Sequence, residues 1–261
     1  MINLLKIEWL KIKTYKAFWI FSILYFFSIL GINYTGYYFN HLAASVPGSS
    51  MLLGTPYGFP KVWQTVGWMS SWLLYFPGIL FIMLLANEFN FKTHRQNIID
   101  GWSRIDFISV KFVFALLFSV VATFFNGLVA LLFGLLTSGS LFTLLGLENL
   151  GYIFIQTVAY ITFAMFMAVL FRRSGIAIAI FCLFGLIFEW LIMEFVNLTL
   201  HLSPAGYFLP LRVTNVMLPI PFGNKVIYPN TPDIYVMVLA SLLYIAGYYF
   251  FALRKFKTED L

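Results

Sequence analysis

Charge is what this chain has least of. Only 10% of its 261 residues are Asp, Glu, Lys or Arg, while 61% are hydrophobic. That balance, with a mean hydropathy of +0.89, lies far outside the soluble globular range. Cysteine is nearly absent. Cys182 stands alone in an apolar run, which excludes a disulfide framework and a thiolate metal cluster and leaves a packing role. Histidine is scarce as well: His41, His94 and His201 are scattered, and with no HxxxH or HExxH no metal site is expected. The GxxxxGK[ST] phosphate loop is missing, since Gly223-Asn224-Lys225 lacks its spacing, and so is the GxSxG nucleophile elbow. The chain therefore does not hydrolyse ATP itself, and no catalytic residue is assigned. Proline is kept out of the apolar runs except at Pro77, where it should kink a helix.

What is present is apolar length. A bilayer core of about 30 Å needs about 20 apolar residues per helix, and six stretches qualify: 17–39, 62–87, 112–138, 149–171, 174–197 and 234–253. They are continuous runs without dyad alternation, so helices are expected and a barrel is not. The fold class is an all-α polytopic membrane protein with six transmembrane helices. Lys and Arg fix its orientation. With the N-terminus inside, 13 of the 16 fall on cytoplasmic segments, leaving Lys61, Arg212 and Lys225 opposite. Both termini are then cytoplasmic. The net charge of +6 belongs to membrane flanks, and no nucleic acid partner is expected. Residues 1–16 carry Ile2, Leu5, Trp9 and Ile12 at helical spacing, away from Lys6, Lys13 and Lys16. This predicts an amphipathic interfacial helix with Trp9 at headgroup depth, contacting membrane lipid. It is read as an uncleaved anchor, not a signal peptide. The 199–232 connection is rich in both proline and apolar residues, so short helical pieces dipping back into the outer leaflet are expected.

One polar island interrupts the apolar pattern. Residues 87–111, NEFNFKTHRQNIIDGWSRIDFISVK, must lie in water between two spans. Thr93 can cap a short helix running to Trp102, and Ser103 can cap the next one. Ile98, Ile99 and Trp102 on so short a helix suit a groove on another protein better than they suit a solvated linker. In wording this island resembles the corresponding segment of type-2 ABC transporter permeases. That segment has an acidic-aromatic end to the second span, a Thr, a short polar-hydrophobic helix, Ser-Arg, and a Lys opening the third span. The opening LLKIEWLKIKTYKAFWI is similar to the same family's elbow helix. Two positions depart from the usual pattern: Lys92 stands where Gly often precedes the Thr, and Gly101-Trp102 where Pro often precedes Ser-Arg.

The resemblance implies a single transmembrane domain, 1–261, in the bacterial inner membrane, with 88–111 as its cytoplasmic coupling loop. Residues 93–102 would form a coupling helix seated on a cytoplasmic ABC ATPase subunit, present in two copies, which would hold the ATP and Mg; no cofactor is expected in this chain. A second permease, identical or homologous, would complete the pathway. Thr93, His94, Gln96, Asn97, Ile98, Ile99 and Trp102 would make the contact, with Glu88 beside it. Arg95, Asp100 and Arg104 would set register at its rim. The expected activity is export of an amphipathic or hydrophobic substrate.

Four further residues stand out in or near the fifth run. Glu189 and Glu194 are costly in lipid, so each should face the bundle, a partner or a wet cavity. Their five-residue spacing does not make a paired-carboxylate site. Glu194, Asn197 and His201 share a helical face. These residues and Pro77 are candidates for a gate or pathway, and interfacial carboxylates satisfied by water or Trp190 are the plainer reading. Two other functional classes stay open: a non-transporting mechanical or signalling partner of an ATPase, and a membrane-embedded enzyme using Glu189, Glu194 or His201.

Overall fold

A computed structural model describes residues 2–44, 55–137, 139, 141–221 and 230–258. It is all-helical, with no strand among the described residues. A first helix, α1 (Ile2–Thr14), turns into α2 (Lys16–Ala44). Two shorter helices follow, α3 (Val62–Ser71) and α4 (Tyr75–Asn90), and then the small α5 (Thr93–Ile99). The long helices α6 (Arg104–Leu136), α7 (Glu148–Phe171) and α8 (Ser174–Thr199) come next. A 3₁₀ turn at Ala205–Phe208, the short α9 (Arg212–Met217) and α10 (Ile234–Thr258) complete the order.

Five helices, α2, α6, α7, α8 and α10, are long and apolar enough to cross a membrane; α3 and α4 make a sixth crossing if the bent pair is one span. They bend by 46° at residues 72–74. Pro77 is the third residue of α4. Its ring cannot coexist with a regular helical carbonyl four residues back, at Leu73, and it has no N–H to donate there. The chain therefore breaks one turn ahead of the proline and restarts with it in a first turn, where a missing N–H costs nothing.

The apolar window of α7 is 78% buried, against 22–28% for α2, α8 and α10. α7 is accordingly the axis of the bundle, packed by α4, α6, α8 and α10, and the other three helices form its rim. Sharp local signals set the helix ends. Ser103 and Asp106 form a reciprocal capping box that starts α6 eight residues before the apolar run at 112–138. Arg172, at φ 54°, ends α7 in the left-handed conformation. α8 is interrupted by π-helical turns at Phe184–Phe188 and Phe195–Thr199.

The 199–232 connection does contain short helical pieces. α9 and the 3₁₀ turn pack Tyr207, Val213, Val216 and Met217 against Met193 of α8 and Met237 of α10. The part at 222–229 lies outside the described residues.

Candidate functional site

Two places combine buried polar chemistry with helix ends, one at each end of the bundle. At the island end, α5 stands between α4 and α6 and is held from within. Asn97 Oδ1 accepts a hydrogen bond from Lys11 Nζ at 2.9 Å. His94 Nδ1 donates to the Glu88 carbonyl at 2.9 Å, and its ring meets Phe89 edge-on. Trp102 is buried, with the Lys11 ammonium 5.5 Å from its ring centroid. Cation–π contact of this kind favours Lys11 as a clamp across α1 and the island.

Beneath this layer lies an ion cluster that joins three helices. Lys111 of α6 binds one carboxylate oxygen each of Glu8, from α1, and Glu88, from α4. All three are buried, at 5%, 1% and 9% exposure. The second oxygens, Glu8 Oε2 and Glu88 Oε2, have no hydrogen-bond partner among the described residues. One cation thus answers two carboxylates out of water, an arrangement held by charge pairing and not by cheap burial. The C-terminal helix is drawn in as well: Arg104 donates to the carbonyls of Phe256 and Lys257, and Phe107 stacks on Phe256. Arg172, at the α7–α8 turn, lies over the Phe89 ring at 5.6 Å.

α1 turns Ile2 and Trp9 outward, and the residues it buries are Glu8 and Ile12. Several expectations change here. Thr93 is not a cap. It is the first residue of α5, whose preceding residue Lys92 has φ 56°, the left-handed conformation that suits glycine. The Thr93 hydroxyl donates back to the Glu88 carbonyl at 3.4 Å. Trp102 and Ile98, expected to plug a partner's groove, are turned toward this chain's own core. Glu88 points inward to Lys111, and Arg104 turns to α10. The outward face of the island instead presents Phe91 and Ile99, 76% and 78% exposed, with Arg95, Gln96 and Asp100 among them. Asp100 accepts from Gln96 at 3.2 Å.

The other end of the bundle is built around Glu189. Its Oε1 accepts the Leu211 backbone N–H at 2.6 Å, so it caps the entrance to α9 from a neighbouring helix. Glu189 is buried at 1% exposure, and its Oε2 is unpartnered among the described residues. Glu194 and His201 do not join it. No hydrogen bond links Glu194, Asn197 and His201 to one another among the described residues, and the Asn197 Oδ1 accepts from the Gly206 N–H. Beside Glu189 opens a cavity of about 300 Å³, with walls from Trp72, Tyr160, Trp190, Arg212 and Asn215.

The chain matches, over residues 23–261, the family described as "Protein of unknown function (DUF2705)". It belongs to that family. No curated protein matches it. The DUF2705 match includes the island, Lys111, Glu189 and Arg212, and it starts after α1, so Glu8 and Lys11 lie ahead of it.

Sequence reasoning had marked Glu88 and Lys111 as motif residues and Glu189 as an intramembrane carboxylate. It missed Glu8, Lys11, Asp106, Arg212 and Asn215. Glu8 had left a signal: it is the only acidic residue ahead of Glu88, set in a basic segment where an unpaired carboxylate needs a reason. Arg212 had been counted only as a charge opposite the cytoplasmic side.

Proposed function

We propose that this DUF2705 chain is the membrane subunit of an ATP-driven transporter of the type-2 ABC class, with α5 as the element that receives a separate ATPase. The observation that carries this reading is the island itself. A seven-residue helix with an outward apolar face is tied to α1 by Lys11–Asn97 and to α4 by His94–Glu88, and the Lys111 cluster joins those two helices to α6. A force applied to Phe91, Arg95 and Ile99 would reach three helices without first being absorbed by a flexible loop. A solvated linker has no use for such bracing.

In this reading the bent pair α3–α4 is one of six spans, and both termini lie in the cytoplasm of a bacterial inner-membrane protein. α1 rests in the interface, and α9 dips back from the outer side. ATP and Mg are held by two copies of the partner ATPase, and a second permease completes the pathway for an amphipathic cargo. The commitment of Glu189 to the α9 entrance weighs against an embedded enzyme that uses it as an acid or base.

The test is co-purification of the tagged chain from its native membrane. The expected eluate holds an ATPase subunit in equal ratio, lost from a Phe91→Asp/Ile99→Asp variant whose melting is unchanged. An eluate without any ATPase, from gently solubilised membranes, rejects the proposal.

A further inference from the structure

We infer that the groove between α1, α2 and α6 is a binding site for one anionic phospholipid of the bilayer, with Lys6 for its head and an apolar channel for an acyl chain. Three observations converge on it.

The first is the groove itself. It has a volume of about 560 Å³ and is walled by Leu5 and Trp9 of α1, Phe18 and Phe26 of α2, and Leu117 and Val121 of α6. Both α2 and α6 are apolar enough to cross a bilayer. Their parts in the walls, residues 18–26 and 114–121, run for roughly 10–12 Å at about 1.5 Å per residue. Half of a hydrocarbon core about 30 Å thick is about 15 Å. The groove thus has the reach of a chain lying in a single leaflet. Phe18, Ser22 and Phe26 share one face of α2, and the small serine between two phenylalanines makes the dip. Its hydroxyl, unpartnered among the described residues, lies in the floor.

The second is the charge. Lys6 lines the groove, and no acidic residue does. Lys6 is exposed and makes no hydrogen bond or ion pair among the described residues. The acid nearest to it in sequence, Glu8, is committed to Lys111 on the buried side of α1. A lysine lays its methylene stem on apolar surface and keeps its ammonium at the polar boundary, where a lipid phosphate is the matching anion. Grooves of about 650 Å³ beside α7 and α10 and of about 600 Å³ beside α6 and α7 have no charged residue in their walls. Those can take hydrocarbon but cannot choose a head.

The third is the frame that holds α1 over the groove. Trp9 stacks on Phe114 with ring centroids 6.1 Å apart, and it meets Phe18 and Trp19 edge-on. The Trp19 indole N–H donates to the Lys13 carbonyl at 2.9 Å. This clasp ties α1 to α2 and α6, and Lys6 follows Trp9 on the same side of α1, one turn away. The cation is therefore set at the groove by packed rings and not carried there by a loose tail.

The inference needs α2 and α6 to cross a bilayer; it does not need the transporter reading. The experiment places the full chain in phosphatidylcholine nanodiscs doped with one of two photoreactive lipids. Both carry the same diazirine acyl chain, one on a phosphatidylglycerol and one on a phosphatidylcholine, and labelled peptides are read by mass spectrometry. The phosphatidylglycerol should label residues 18–26 and 114–121 roughly fivefold more, the scale of one lysine at an anionic lipid surface. Lys6→Gln should erase that difference and Lys6→Arg should keep it. Lys16→Gln, which removes an equal charge outside the groove, should leave it unchanged. Equal labelling by the two heads overturns the inference. So does a Lys16→Gln effect as large as that of Lys6→Gln, because the lipid is then drawn only by overall positive charge. Absence of label from both segments overturns it too, since a protein surface then covers the groove. An eluate without an ATPase would leave this site standing, and a missing head-group preference would leave the transporter reading standing.

Discussion

Lys111 carries one positive charge against two carboxylates, with all three side chains out of solvent. Removing the cation leaves two buried negative charges facing each other, which costs about 3–5 kcal/mol by the usual penalty for halving a buried pair. Lys111→Met should therefore lower the melting temperature sharply in detergent. Adding Glu8→Gln and Glu88→Gln to the same chain should return most of the loss, because neutral amides need no counter-charge. A parental melting curve for Lys111→Met alone would show that the cluster has no structural weight. Lys92 offers an opposite case. A non-glycine residue at φ 56° carries about 1–2 kcal/mol of left-handed strain, part of which glycine gives back as unfolded-chain entropy. Lys92→Gly should raise the melting temperature slightly and leave the ATPase contact proposed for the island unchanged. A lower melting temperature would mean that the Lys92 side chain contributes more than its backbone costs.

Among elements, α5 separates what sequence can reveal from what it cannot. Its existence was legible, because a polar stretch between two apolar runs must leave the bilayer and Ser103 announces the next helix. Its orientation was not. Seven residues are barely two turns, too few for periodicity to say which of Ile98 and Ile99 faces the core; only Lys11, 86 positions from Asn97, decides it. The Glu8–Lys111 contact, 103 positions apart, was hidden for the same reason. α9 shows the other limit. The apolar 199–232 connection pointed to packed pieces, but nothing in the sequence says that Glu189 caps the entrance to one. Glu189→Leu should loosen α9 because the Leu211 N–H loses its acceptor in a buried place, at about 1–3 kcal/mol. With Cys182 replaced by Ala, a cysteine at Thr214, buried here, should react faster with maleimide in the Leu variant. Glu189→Gln, which keeps an accepting oxygen, should stay close to the parent. Equal reactivity in all three would mean that α9 is held by its apolar face alone.

At the scale of the whole molecule the open quantity is the parity of the crossings. Five helices among the described residues are long and apolar enough to cross by themselves; the α3–α4 pair decides whether the count is odd or even. If the pair is one bent span, Lys6, Arg95 and Lys257 all lie on one side and Asp233 on the other. If instead the pair enters and leaves on the same side, the island and Lys257 move to the face opposite Lys6, and Asp233 moves to the Lys6 side. The bracing favours the first arrangement. α1, α5 and the end of α10 meet through Lys11–Asn97, Arg104–Phe256 and the His94–Phe256 ring contact, so all three share one end of the bundle. A re-entrant pair would carry the island and the end of α10 together to the end opposite α1, and would break the Lys11–Asn97 bond and the contact of Glu8 with Lys111. Single cysteines at positions 6, 95, 233 and 257, in a chain with Cys182 replaced by Ala, settle the matter with an impermeant maleimide on sealed inside-out vesicles. The expected result is rapid labelling at 6, 95 and 257 and protection at 233. Protection of 95 together with labelling of 6 would make α3–α4 a hairpin, move the outward face of α5 away from the cytoplasm, and leave no side from which an ATPase could reach it.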